Sequence, residues 1–168
     1  MKMERRQGTL AALMLAATLL QACAAQLQPA REAAAAGSPA PINPDTRLGE
    51  LPPQRLAAGQ CGLFLWGRTV PARLVLFGAG RDGGARIAMD GRIVDLLRAS
   101  AEGDPVFGQF PRQTFKGEGA EIGLTLEFER RPDLVGGALV PRGVLDLRDA
   151  DGWSHVMPVA GLIGCEPG

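Results

Sequence analysis

Apolar and polar residues alternate one by one along Glu121–Glu129. Ile122, Leu124, Leu126 and Phe128 fall on one side; the glutamates and Thr125 fall on the other. A period of two is the pattern of a strand with one wet face. Shorter segments of β-type composition predict strands at Gly62–Trp66, Arg73–Phe77, Ala85–Met89, Arg92–Leu97, Gln113–Lys116, Ala138–Val140, Gly143–Arg148 and Trp153–Val159. Asp90-Gly91 lies between two of them and predicts a two-residue hairpin turn. Asp149-Ala150-Asp151-Gly152 predicts another turn; its acidic spacing is like the start of a calcium loop, but the late bidentate Glu is missing. Strands this short and this regularly punctuated predict an all-β domain over residues 55–168, a small antiparallel barrel or sandwich of about eight strands.

The N-terminal pattern differs. Lys2, Arg5 and Arg6 precede an uncharged apolar run, Thr9–Leu20. Twelve residues rise about 18 Å as a helix, short of the roughly 30 Å of a hydrocarbon core. With charges before it and small residues after, the run reads as a secretory signal peptide over residues 1–22 rather than an anchor or a buried core helix. It ends Leu20-Gln21-Ala22-Cys23, which resembles the lipobox of bacterial lipoproteins. The resemblance implies that Cys23 carries lipid on sulfur and on its new amino terminus. Two or three acyl chains suffice for stable anchoring. With Ala24 next in the chain, it also implies the periplasmic face of a Gram-negative outer membrane. The competing reading is cleavage at a small-residue site that leaves Cys23 a free thiol.

Residues 24–50 hold eight Ala and four Pro. Such a stretch cannot bury enough apolar surface to offset chain entropy, so residues 23–54 are expected to form a lipidated tether. The chain carries 18 basic and 18 acidic residues, and loss of residues 1–22 leaves a net charge of −2. That balance argues against nucleic acid as a partner. With Cys23 lipidated, Cys61 and Cys165 are the two remaining thiols, bracketing the β domain. An oxidising compartment favours a structural bridge between them over two buried thiols.

Catalytic chemistry is sparse. The single histidine, His155, follows Ser154 on an expected strand, so the two point to opposite faces and cannot act as nucleophile and base. No G-x-S-x-G, H-E-x-x-H or P-loop occurs. Gly78–Gly84 is glycine-rich but no helix follows to aim amides at a phosphate, so it reads as a hairpin loop. Carboxylate pairs such as Glu118 with Glu121 and Glu102 with Asp104 suit solvated turns. No catalytic residue, metal ligand or cofactor is assigned. Two surfaces remain. In Leu63-Phe64-Leu65-Trp66 both faces are apolar: either both are buried, or Phe64 and Trp66 form an exposed patch. The stretch Ser100–Gly108 suits an exposed loop, and Glu102, Gly103, Asp104, Pro105, Val106 and Phe107 are the expected partner-binding residues.

One family resemblance covers roughly residues 61–128. Cys61 in the first strand, Met89-Asp90-Gly91, Ser100-Ala101-Glu102-Gly103, Phe115-Lys116-Gly117-Glu118-Gly119-Ala120-Glu121 and an alternating strand follow in an order similar to the membrane-bound inhibitors of C-type lysozyme. The resemblance implies an eight-stranded antiparallel barrel with a disulfide on a periplasmic lipoprotein. The family's inhibitory pattern is Ser-Gly-x-x-Tyr. Aligned on Gly103, its Ser falls on Glu102, its Tyr on Val106 and an adjoining basic residue on Pro105. Glu102 and Asp104 place negative charge where that family presents a hydroxyl and a cation toward catalytic carboxylates. The expectation is therefore a non-catalytic, outer-membrane-anchored lipoprotein binding an envelope protein or glycan. Lysozyme inhibition, a structural envelope role and a small-ligand carrier are the alternatives.

Overall fold

The computed structural model describes residues 47–80 and 83–168. The expected signal peptide, Cys23 and the expected tether up to residue 46 lie outside the described residues, as do Arg81 and Asp82 of the glycine-rich loop. Eight strands follow one another: β1 (Cys61–Gly67), β2 (Leu74–Ala79), β3 (Gly84–Met89), β4 (Arg92–Glu102), β5 (Arg112–Gly117), β6 (Ala120–Glu129), β7 (Gly137–Asp149) and β8 (Ser154–Cys165). Each pairs antiparallel with the next, and β8 pairs with β1, so the sheet closes into an up-and-down barrel. This is the expected all-β fold, in its barrel form.

Alternation explains the inside. Leu63 and Leu65 of β1, Ile87 of β3, Val94 and Leu96 of β4, Ile122 and Leu124 of β6, and Leu145 and Leu147 of β7 all enter one buried cluster. Phe115, fully buried, is the largest of these side chains. The outer face carries ion pairs such as Arg86–Asp95, Arg112–Glu102, Lys116–Glu121 and Arg142–Glu127. Apolar inside and charged outside is the reverse of a membrane-spanning barrel.

Strand lengths differ from expectation where bulges and small residues intervene. The segments Ala138–Val140 and Gly143–Arg148 are one strand, β7, joined through a bulge between Val140 and Gly143. Pro141 sits in that bulge, where its missing N–H breaks no ladder bond. β8 runs past Val159 to Cys165, through Ala160, Gly161 and Gly164. These residues have weak β propensity, but β1 and β7 pair with them on both sides. β4 extends to Glu102, so Ser100, Ala101 and Glu102 are strand rather than loop, after a bulge between Arg98 and Ser100. The Asp90-Gly91 hairpin is as expected: both residues have positive φ (50° and 73°), and Met89 pairs with Arg92.

The expected tether ends too late at residue 54. Residues 47–54 form a strap on the barrel. Leu48 is fully buried in the interior cluster and bridges to Met89. The Gly49 and Leu51 amides donate to the Ala88 and Leu74 carbonyls at 2.9 and 2.8 Å. Two large side chains, Leu48 and Leu51, at the end of an Ala/Pro-rich stretch were enough to recruit it. Leu51 packs with Leu74 and Ala88 on the outer face, beside Phe64, Trp66 and Phe77. The apolar outer side of β1 is therefore half-covered by the strap rather than fully buried in a core.

Cys61 and Cys165 are register partners across the β1–β8 seam, and their sulfurs lie 2.03 Å apart, the distance of a disulfide. The residues they join are 104 apart in sequence. Closing a loop of that size stabilises by ~4–5 kcal/mol in the chain-entropy model. Urea unfolding of the oxidised protein and of Cys61→Ser/Cys165→Ser should differ by a loss of that order; equal midpoints and slopes would show that the seam needs no bridge.

Candidate functional site

The barrel has two ends. At one, the strap enters and the turns β3–β4, β5–β6 and β7–β8 lie. At the other are the disulfide, the β4–β5 connection and the β6–β7 loop.

At the strap end Arg47 is a clamp. Its Nε donates to Asp90 Oδ1 at 2.9 Å, and a second nitrogen forms a short ion pair with Asp149. Asp149 is nearly buried, and its Oδ1 accepts from the Asp151 and Trp153 amides at 3.0 and 2.8 Å, which fixes the β7–β8 turn. That turn therefore has a structural account in Asp149 itself. The Arg47 guanidinium also lies 5.8 Å from the Trp153 ring centre, and Trp153 stacks on His155. The hydrogen bond from Arg47 holds the Asp90 carboxyl below the usual carboxylate range, and the same bond holds Arg47 above its own. His155 is half-buried and Ser154 exposed, on opposite faces as alternation requires.

At the far end the expected binding loop is resolved into parts. Glu102 closes β4 and is paired with Arg112 at 3.0 Å. Gly103 turns the chain out at φ 87°. Asp104 and Pro105 are exposed, whereas Val106 packs on the core. Phe107 and Gly108, with φ of 49° and 79°, are the centre of a tight turn in which the Val106 and Gln109 amides and carbonyls bond reciprocally at 2.8 and 3.0 Å. A bulky residue in the left-handed region costs ~1–2 kcal/mol. Phe107 stays 39% exposed and lies 6.0 Å from the Arg130 guanidinium, which ties this loop to the next. The loop rests on Gly80, where a Cβ would come within 3.1 Å of the Phe107 carbonyl oxygen and 2.8 Å of that of Cys61.

Beneath the turn lie three residues that the sequence reading missed. Gln109 and Gln113 are buried at 0% and 2% exposure, and the Gln113 Nε2 donates to Gln109 Oε1 at 3.1 Å. The Arg98 guanidinium lies 5.3 Å from the Phe110 ring centre and 5.6 Å from that of Phe115, and donates to the Gly108 carbonyl at 3.1 Å. Burial lowers the Arg98 pKa. A signal existed: Gln113 stands two residues before Phe115 and so shares its inward face.

Among the described residues the outer surface holds several grooves, of which two are the larger. One, of about 460 Å³, lies between the strap and Phe64, Trp66 and Leu162. The other, of about 350 Å³, crosses β4 to β8 over Gly123, among Thr114, Thr125 and Asp146. Glu102 and Asp146 both border it, but three strand spacings separate their strands, roughly 14 Å. Glycosidase carboxylates stand about 5–9.5 Å apart. Of the other carboxylates, Glu121 is neutralised by Lys116 at 2.8 Å. Among the described residues no three His, Cys, Asp or Glu side chains gather in a way that could hold a metal ion. Comparison of the chain with protein-family models, with curated proteins and with solved structures gives no match.

The clamp makes a pH prediction. Because Asp90 has a lowered folded pKa, its contribution is present above the unfolded value of about 3.9 and is lost as pH falls through the folded value. The thermal-stability gap between the native chain and Asp90→Asn should be constant from pH 7 to 5 and close below about pH 4. A gap that persists unchanged at pH 3 would contradict the assignment.

Proposed function

We propose that the protein is a lipid-anchored lipoprotein of the outer membrane, exposed to the periplasm, whose β-barrel binds an envelope protein or glycan without catalysis. The signal-like run and Cys23 of the lipobox-like sequence support the anchor. The observation that carries the binding role is the filled barrel. Side chains from all eight strands occupy the interior, so a ligand meets the outside and the end loops. A filled interior also weighs against the small-ligand carrier. Closure leaves no free strand edge among the described residues, which weighs against strand addition to the barrel as a binding mode. Among the described residues the remaining contact elements are the Glu102–Phe107 segment, the β6–β7 loop with Leu134 and the 94%-exposed Val135, and the outer grooves.

The second reading is a lysozyme-type inhibitor. A closed eight-stranded barrel with Cys61 facing Cys165 agrees with the fold that resemblance implies. Glu102, engaged with Arg112, stands where the family has its serine. Both readings meet one experiment: crosslinking pull-down of the full-length chain in its native envelope, with Cys23→Ser as control and mass spectrometry as readout. The binding role predicts one dominant, reproducible partner, with palmitate label on the native chain and none on Cys23→Ser. A muramidase as that partner would assign the inhibitor. No partner above the control would leave the structural envelope role.

A further inference from the structure

The polar group beneath the Gly103–Gly108 loop, made of Arg98, Gln109 and Gln113, does not balance. Gln109 and Gln113 make one hydrogen bond to each other, and this leaves Gln109 Nε2 and Gln113 Oε1 buried without partners among the described residues. Reversing both side-chain amides leaves the same surplus, one donor and one acceptor, so the result does not depend on how oxygen and nitrogen are assigned. Arg98 Nε is a third orphan, a donor, also sealed from solvent. Leaving such groups unsatisfied costs about 1–3 kcal/mol each. Each such group in a native protein calls for an explanation, and all three belong to the same end of the barrel.

The cover over this group is tied by a few polar contacts and by packing on Gly80. Its turn carries Phe107 in the left-handed region, and its ties are the short Val106–Gln109 pairing, the Arg98 bond to Gly108 and the Arg130 contact. Opening it wets the orphans and relaxes the turn, so strain and unsatisfied polarity both favour an opened state. Val106 on the core favours the closed one.

We propose that the barrel end beneath this loop is a recognition site for an amide group, with the loop as its cover. Two orphan donors and one orphan acceptor are the complement of one amide. Its carbonyl accepts from Arg98 Nε and Gln109 Nε2, and its N–H donates to Gln113 Oε1. A carboxylate satisfies the donors only and brings a second acceptor against Gln113 Oε1. Amides occur in peptide backbones and in acetamido sugars, both of which the envelope supplies. The inference deepens the reading of Glu102–Phe107 as a binding element, but its test is separate from the capture of a partner.

The full chain is titrated in solution with N-methylacetamide, with N-acetylglucosamine and with acetate. The side-chain N–H signals of Arg98, Gln109 and Gln113 are followed by NMR. Saturable shifts of these signals with an amide, and none with acetate, are expected. Response to the first probe alone indicates a peptide, and to the sugar a glycan. In Gln109→Leu/Gln113→Leu the shifts should vanish while the strand signals stay in place. Hydrogen exchange of the native chain gives a reading that needs no variant: the Val106 and Gln109 amides should exchange at least ~10-fold faster than those of β6. Shifts with acetate equal to those with amides, no saturable shift with either amide, or turn amides as protected as β6 would each overturn the proposal.

Discussion

The pairing of β1 with β8 is the constraint on which the rest depends. Seven register pairs, Cys61–Cys165 through Gly67–Val159, join the first strand to the last. Until that seam forms, β1 and β8 are open edges and the apolar faces of all the strands have no enclosed space to fill. Once it forms, Leu63, Leu65 and Ile163 meet the residues of β3 to β7 in one interior. The seam is also the costliest contact in chain entropy, because its residues are the most distant in sequence. The cysteines stand at its end, where a covalent link acts on that cost directly.

Closure also decides where function can reside. An open sheet offers an edge, and an unfilled barrel offers a lumen; the barrel of the described residues offers neither. What remains is the outer face and the two ends. The strap end is stiffened by Arg47, which joins the chain's entry point to two separate turns through Asp90 and Asp149. The opposite end has longer connections, exposed Phe107 and Val135, and a buried polar group with unmet hydrogen bonds. Among the described residues, the end where the chain enters at Arg47 is thus cross-tied, and the opposite end carries the exposed loops and the unmet polar groups.

The architecture was largely legible in the residues because alternation is a direct record of which side of a sheet is wet. Glu121–Glu129, the Asp90-Gly91 turn and the paired cysteines could each be read locally. The losses have physical reasons. Leu48 and Leu51 were averaged into an Ala/Pro-rich composition, although two side chains suffice to dock a strap. Ala160, Gly161 and Gly164 do not favour a strand by themselves and are strand because both neighbours pair with them. Ser100–Glu102 look like loop by type and are strand because β5 continues beside them. At the candidate site, Val106 and Phe107 were in the expected loop. Arg98, Gln109 and Gln113 were not, since a polar residue on an inward face reads as surface until the barrel end encloses it.

The proposed binding role places the contact at the barrel end opposite the strap's entry. Photo-crosslinking from single positions in the native envelope tests this most directly, with the reactive side chain at Phe107 or Val135 at one end and at the fully exposed Val70 at the other. Crosslinks to one discrete partner or glycan from Phe107 and Val135, and none from Val70, are the predicted result. Crosslinks from Val70 alone would contradict it.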